Sequence, residues 1–134
     1  MLKQLSIYAE NKKGALQALT NALYEAGINI WGSVTNDGAE YGINRMVVSD
    51  PDKAKEVLTE KGYLCRFVDV LAVEIEDKPG ALNTLLTALL DSNVNVDYTY
   101  LSFNRDSSTP VMILHTADPE EVEICLKAKG FKMC

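Results

Sequence analysis

An internal repeat limits what this chain can fold into more than any other feature of the sequence. Residues 11–16 read NKKGAL, and residues 77–82, which lie 66 positions later, read DKPGAL. The offset becomes 68 in the later part of each copy, because the second copy contains two additional residues. Copies of about 65 residues are too long for a solenoid unit, and each is long enough to form a small core. We therefore predict two domains, residues 1–68 and residues 69–134.

The hydrophobic pattern predicts the same order of elements in both copies. In the first copy, residues 4–9 alternate between apolar and polar, which is typical of a strand. After Gly14, apolar residues recur every three or four positions and indicate a helix with one apolar face, which Gly27 ends. Asp50 and Pro51 then form a typical start of a second helix, since Asp can cap it and Pro needs no N–H donor there.

The order of strand, helix, strand, strand, helix and strand determines the fold class. It predicts an α+β fold with two ferredoxin-like βαββαβ repeats, each an antiparallel sheet with its helices packed on one face. A hairpin turn is predicted at residues 36–38, and the second copy has predicted helices at residues 80–91 and after a capping Asp118. The predicted strands are residues 4–9, 28–35, 41–49 and 63–67 in the first copy, and residues 70–76, 94–103, 110–116 and 130–133 in the second.

Composition and charge argue against several classes of function. The net charge of −6 arises in residues 67–134, which contain five basic and eleven acidic residues, so we expect no nucleic-acid partner. Cys65, Cys125 and Cys134 lack the spacing of a zinc or iron–sulfur site, and we expect neither a metal nor a cofactor. Free cysteines are typical of a cytoplasmic protein. The N-terminal residues contain no long apolar run, so we expect no signal peptide and no membrane segment.

A search for catalytic residues finds no candidate set. His115 is the only histidine, so no Ser-His-Asp or Cys-His arrangement is available, and its place in an apolar strand indicates a structural role. No phosphate-binding or dinucleotide-binding glycine pattern appears. Asp50 and Asp118 are explained as helix caps rather than catalytic acids. We therefore do not expect an enzyme.

The repeated motif resembles the ACT domain, a small amino-acid-sensing module. That family has an acidic or amide residue, two variable positions, a glycine, an aliphatic helix and a later strand that begins hydrophobic-Asn-hydrophobic. Residues 11–16 and 28–30 match this pattern in the first copy, and residues 77–82 and 94–96 match it in the second. The resemblance covers nearly the whole chain. It implies that a free amino acid binds between two neighbouring domains, near the loop between the first strand and the first helix.

The chemistry of these loops supports the same location. Gly14 and Gly80 have no side chain, so a ligand can approach the backbone closely, and both precede helices whose N-termini attract a carboxylate. Ala9 and Ile75 stand where the resemblance to serine-sensing members would require a histidine, which argues against serine as the ligand. The predicted ligand-binding residues are Asn11, Lys12, Gly14, Ala15 and Asn29 in the first copy, and Asp77, Gly80, Ala81 and Asn95 in the second.

The resemblance implies a regulatory function. We expect a freestanding tandem ACT-domain protein that forms a homodimer, binds a free amino acid at an inter-domain or dimer interface, and senses its level. The alternative is a regulatory subunit that docks on an amino-acid biosynthetic enzyme in trans and binds no ligand of its own. The two hypotheses differ in whether the isolated protein binds an amino acid.

Overall fold

The structure, a computed structural model, describes residues 1–37 and 41–134. These residues form two compact units. The N-terminal unit comprises Lys3–Val68, and the C-terminal unit comprises Asp69–Cys134 together with Met1–Leu2. Gly38, the last residue of the predicted hairpin turn, lies outside the described residues.

The N-terminal unit packs two helices against an antiparallel sheet. Its elements are β1 (Leu2–Glu10), α1 (Ala15–Glu25), β2 (Ile30–Asp37), β3 (Tyr41–Val48) and α2 (Pro51–Glu60), followed by β4 (Leu64–Glu74), which continues into the C-terminal unit. Strand β3 lies between β2 and β1. Leu19 and Leu23 of α1 and Leu58 of α2 are fully buried in one cluster with Leu5 and Met46 of the sheet. The apolar face that the sequence predicts for α1 is therefore the face that forms this core.

The C-terminal unit repeats this arrangement. Its further elements are α3 (Ala81–Asp91), β5 (Tyr98–Phe103), β6 (Pro110–His115) and α4 (Pro119–Ala128). Strand β6 lies between β5 and β4, and both pairs are antiparallel. Leu85 and Leu89 of α3 and Leu126 of α4 are buried in a second cluster with Leu71 and Leu114 of the sheet.

The predicted fold class is confirmed. The described residues contain six strands and four helices that form two ferredoxin-like repeats of the α+β class, with fewer strands than the eight predicted. The longest helices have eleven residues, and in the described ranges none could serve as a transmembrane helix.

The predicted strands differ most from the structure at three places. The separate strands at residues 63–67 and 70–76 are one continuous strand, β4, because the segment between them contains no Gly, Pro or Asn to end it. The strand predicted at residues 130–133 is reduced to a single bridge between Val73 and Met133. Strand β5 begins at Tyr98 rather than at residue 94. Asn93, the residue before the predicted start, has a left-handed backbone conformation (φ 58°).

The two predicted aspartate caps differ. The Asp50 carboxylate accepts a hydrogen bond from the Lys53 amide at 3.2 Å, and Pro51 is the first residue of α2, as predicted. Asp118 likewise occupies the N-cap position of α4, as predicted, but its side chain makes no capping hydrogen bond within the described chain. The first turn of α4 carries Glu120 and Glu121, whose negative charges complement the helix N-terminus in place of a side-chain cap.

This difference predicts unequal effects of two matched substitutions. We expect Asp50→Ala to lower the free energy of unfolding by about 0.5–2 kcal/mol, because the Lys53 amide loses its acceptor. Asp118→Ala should change it by less than about 0.5 kcal/mol, because no such bond is lost. Urea unfolding followed by circular dichroism measures both. Equal losses in the two variants would contradict the assignment of Asp50 as the cap.

Candidate functional site

The two repeated glycines adopt the same backbone conformation immediately before α1 and α3. Gly14 has φ 84° and ψ −7°, and Gly80 has φ 88° and ψ −7°. In each loop the amide that follows the glycine donates to the carbonyl three residues earlier, from Ala15 to Lys12 at 3.1 Å and from Ala81 to Lys78 at 3.2 Å. The repeat in the sequence is therefore a repeat in loop geometry. The Ala15 and Ala81 amides are engaged in closing these turns and do not face a ligand as unpaired donors.

A cavity of about 380 Å³ lies beside the first glycine loop. Its lining includes three residues of the predicted site, Lys12, Gly14 and Ala15. Tyr63, which follows α2 in the chain, also lines the cavity. The charged groups in its lining are the carboxylate of Glu10 and the ammonium groups of Lys12 and Lys13. The Glu10 carboxylate lies 3.0 Å from Nζ of Lys12 and forms an ion pair with it. The formal charge of this lining is therefore positive by one.

A cavity of about 390 Å³ lies at the corresponding place in the C-terminal unit. Ala81 lines it, together with residues that the sequence analysis did not single out. Its wall combines apolar side chains with two acidic and two basic residues. The lining residues are Glu74, Ile75, Glu76, Lys78, Ala81, Thr84, Thr109, Gly130, Phe131 and Lys132.

The predicted asparagines of the strand starts lie at the opposite ends of the first helices. Asn29 lines a cavity with Gln17, Asn21 and Tyr24 on α1, and Asn95 lines a cavity of about 430 Å³ beside the start of α4. Because α1 and α3 each have eleven residues, about 16 Å of helix separates each asparagine from the glycine loop of its own unit. Within one unit, the structure therefore does not bring the two halves of the predicted site together.

The remaining predicted residues are exposed loop positions. Asn11, Asp77 and Gly80 are exposed beside the two cavities without lining them. The nine predicted residues thus divide into loop residues around the two glycines and the two asparagines at the far helix ends.

Asn95 belongs to a polar cluster that explains His115. The Asn95 amide donates to one oxygen of Asp97 at 3.2 Å, and the other oxygen lies 2.8 Å from Nδ1 of His115. The imidazole ring stacks on Tyr98, with the ring centroids 4.9 Å apart. These contacts hold His115 between a carboxylate and an aromatic ring, in agreement with the predicted structural role.

The sequence patterns did not predict the charged cluster in the wall of the C-terminal cavity. One oxygen of Glu74 accepts a hydrogen bond from the Asn104 amide, and the other lies 3.2 Å from Nζ of Lys132. The Glu74 side chain is only 9% exposed. The hydrogen bond from Asn104, followed by that from Lys132, lowers the pKa of the Glu74 carboxyl below its ordinary value. Glu74 is therefore a carboxylate at neutral pH, although it is enclosed.

A comparison of the two copies could have found this cluster. At the offsets of the repeat, Glu74 corresponds to Tyr8 and Lys132 to Leu64. Both positions change from uncharged to charged, and with opposite signs.

Among residues 1–37 and 41–134, no group of three or more His, Cys, Asp or Glu side chains is arranged to hold a metal ion.

The fold and the loops define the class of protein: a pair of ferredoxin-like domains, each with a cavity at the glycine loop before its first helix. The model of the ACT domain pair matches residues 1–131, and the chain belongs to this family of regulatory, amino-acid-binding domains.

Solved structures agree with this assignment. Protein BT0572 from Bacteroides thetaiotaomicron is 31% identical, with a TM-score of 0.90 over 99% of this chain and 91% of that one. The ligand-free regulatory subunit of aspartate kinase from Thermus thermophilus is 18% identical, with a TM-score of 0.65 over 95% and 91%. The corresponding subunit from Thermus flavus is 19% identical, with a TM-score of 0.61 over 96% and 91%. The similarity to the two kinase subunits is one of fold alone. None of the curated protein sequences matches the chain.

Proposed function

We propose that this protein is a non-catalytic sensor that binds a free amino acid at its glycine loops. The observation that carries the proposal is the pair of cavities, of about 380 and 390 Å³, at equivalent places beside Gly14 and Gly80. Cavities of this size fall in the range of small-molecule sites. Both lie at the N-terminus of a helix, which favours the carboxylate group that all amino acids share.

The proposed mechanism is non-covalent. The loop residues Asn11 and Asp77 lie where they can contact a zwitterion that enters beside the glycine. In a homodimer, Asn29 and Asn95 would reach that zwitterion from a neighbouring domain, since about 16 Å of helix separates them from the loop of their own unit. A ligand that binds one arrangement of domains more tightly than another shifts the population toward it, and this shift is the signal.

The three cysteines support a cytoplasmic location for such a sensor. Cys65, Cys125 and Cys134 are all free thiols. Free thiols persist in a reducing compartment, where the pools of free amino acids for biosynthesis are also found.

A docking subunit is the second candidate function, and one surface favours it. Leu82, Leu86 and Leu90 follow one another at intervals of four on α3, and all three are exposed. Such a stripe fits the apolar groove of a partner, and an amino-acid biosynthetic enzyme is the partner that this hypothesis requires. The hypothesis predicts co-purification with that enzyme and no ligand binding by the isolated chain.

A thermal-shift screen of the purified protein against the twenty L-amino acids tests the proposal. We expect selective stabilisation by one or a few of them. A ligand at about a hundred times its Kd adds about 2.7 kcal/mol to the free energy of unfolding, which raises Tm by several degrees.

The D-enantiomer of each hit is the control, because it has the same charge and the same solvent effects but a different shape. A folded protein whose Tm is unchanged by every amino acid would contradict the proposal and favour the docking subunit.

A further inference from the structure

The charged linings of the two glycine-loop cavities differ in two ways: Lys13 lines only the N-terminal cavity, where the second copy has Pro79, and one ion pair is found only in the C-terminal cavity. Both units pair a glutamate near the start of the glycine loop with a lysine two residues later, Glu10 with Lys12 and Glu76 with Lys78. The C-terminal unit adds the ion pair between Glu74 and Lys132. Because Tyr8 and Leu64 occupy the corresponding positions of the N-terminal unit, this second pair is present in one copy only.

The carboxylate of this extra pair has unused capacity to accept hydrogen bonds. An ionised carboxylate offers about four lone-pair positions, and Glu74 receives three side-chain donors, from Asn104, Lys132 and the Cys134 thiol, so that part of its accepting capacity remains. Asn104 fixes the orientation of the carboxylate, and the low exposure of the side chain keeps bulk water from most of it. A carboxylate that is ionised and held in one orientation is a strong acceptor for an ammonium group.

The lysine of the pair has the opposite character. Its side chain is 77% exposed, so that its ammonium group can move from Glu74 to a neighbouring acceptor at little cost. The lining of the C-terminal cavity contains Glu74, Glu76, Lys78 and Lys132 and is formally neutral. A net-neutral ligand with one positive and one negative group matches such a lining better than a simple anion or cation does.

We propose that the C-terminal cavity is the primary amino-acid site, in which Glu74 binds the α-ammonium group and Lys132 contacts the α-carboxylate. The proposal rests on the proposed function and adds which of the two loops binds and which residues hold the zwitterion. The apolar wall is formed by Ile75, Ala81 and Phe131. It defines the ligand class as amino acids with an apolar side chain, since a charged side chain would be desolvated against it without a partner.

Isothermal titration of the full chain tests this assignment. The probes are L-alanine, L-valine, L-leucine, L-isoleucine and L-methionine, together with the α-hydroxy acid that corresponds to the tightest of them. For the wild type, we expect one of the amino acids to bind and its hydroxy acid to bind roughly tenfold to a hundredfold more weakly, because a hydrogen bond to a charged group is lost. We expect Glu74→Gln to weaken binding of the amino acid by a similar factor and to remove most of its preference over the hydroxy acid.

Two further variants keep the test decisive. Lys132→Met removes the proposed carboxylate contact at an exposed position and should also weaken binding about tenfold, even if Glu74→Gln is poorly folded. Tyr8→Phe changes the position that corresponds to Glu74 in the N-terminal unit and should leave Kd unchanged within about twofold.

The outcomes separate the two proposals. If the wild type binds an amino acid and neither Glu74→Gln nor Lys132→Met weakens it, the zwitterion assignment is wrong while the sensor function stands. A loss of binding in Tyr8→Phe would place the site in the N-terminal unit and overturn the assignment as well. If the wild type binds none of these five amino acids but is stabilised by one with a polar or charged side chain in the thermal-shift screen, the apolar ligand class is wrong. If none of the twenty amino acids stabilises the folded wild type, the proposed function fails first and the assignment fails with it.

Discussion

Leu85→Ala is expected to lower the free energy of unfolding by about 2–5 kcal/mol. Leu85 lies on α3, is 0% exposed and packs in the cluster that includes Leu71 and Leu114 of the sheet. The substitution removes three carbon atoms from the centre of this cluster and leaves a cavity that the surrounding strands can fill only in part. A unit of this size has a small core, so the loss is a large part of its stability.

Leu90→Ala on the same helix is the matched control. Leu90 is 75% exposed, so the same chemical change should alter the free energy of unfolding by less than about 0.5 kcal/mol. Urea unfolding curves of the two variants and the wild type provide the comparison. A loss in Leu90→Ala as large as that in Leu85→Ala would mean that the exposed stripe of α3 is covered in solution, which would support a docking surface on this helix.

The burial of Leu85 was predictable because the sequence contains the same pattern twice. Leu19 occupies the corresponding position in α1, and both leucines are completely buried. A hydrophobic pattern that appears once can arise by chance, whereas one that recurs at a constant offset with the same turn and cap residues indicates the same tertiary unit. For this reason the fold class and the order of elements were accessible from the sequence.

The boundary between the copies was not predictable in the same way. The pattern locates apolar faces, but a strand ends only where a turn residue or a loss of partners ends it. The junction contains neither Gly nor Pro, so the chain runs straight through as β4. At residues 130–133 the pattern predicted a strand, because apolar and polar residues alternate there. In the structure, only Met133 of this segment forms a bridge.

The candidate site was predictable only where it is local in sequence. The conformation of the glycine loops follows from a short motif, since Gly14 and Gly80 are both left-handed at the start of a helix. Glu74 meets Asn104 and Lys132 only because the sheet folds them together, from three separate parts of the chain. No spacing rule connects such residues, and the difference between the copies at Tyr8 and Glu74 was the available sequence evidence.

Gly80→Ala is expected to lower the free energy of unfolding by about 1–2 kcal/mol. A Cβ atom at Gly80 would meet no other atom within 4 Å, so the substitution creates no clash with neighbouring residues. Its cost comes from the backbone, because φ is 88° and an L-residue with a side chain is strained in this left-handed region. Relief of the strain would move the turn that Ala81 closes with Lys78, so the variant should also bind amino acids more weakly.

Gly42→Ala separates the effect of strain from the effect of adding a methyl group. Gly42 does not have a left-handed φ, and a Cβ atom there would lie 3.5 Å from the Asn36 carbonyl oxygen, an ordinary van der Waals contact. The free energy of unfolding should stay the same or rise by up to about 1 kcal/mol, since alanine loses less conformational entropy than glycine in a strand. Urea unfolding and thermal melts of both variants measure the difference. If Gly80→Ala proved as stable as Gly42→Ala, the left-handed loop would not be required, and the repeated glycines would instead be explained by the space that a bound ligand needs beside the backbone.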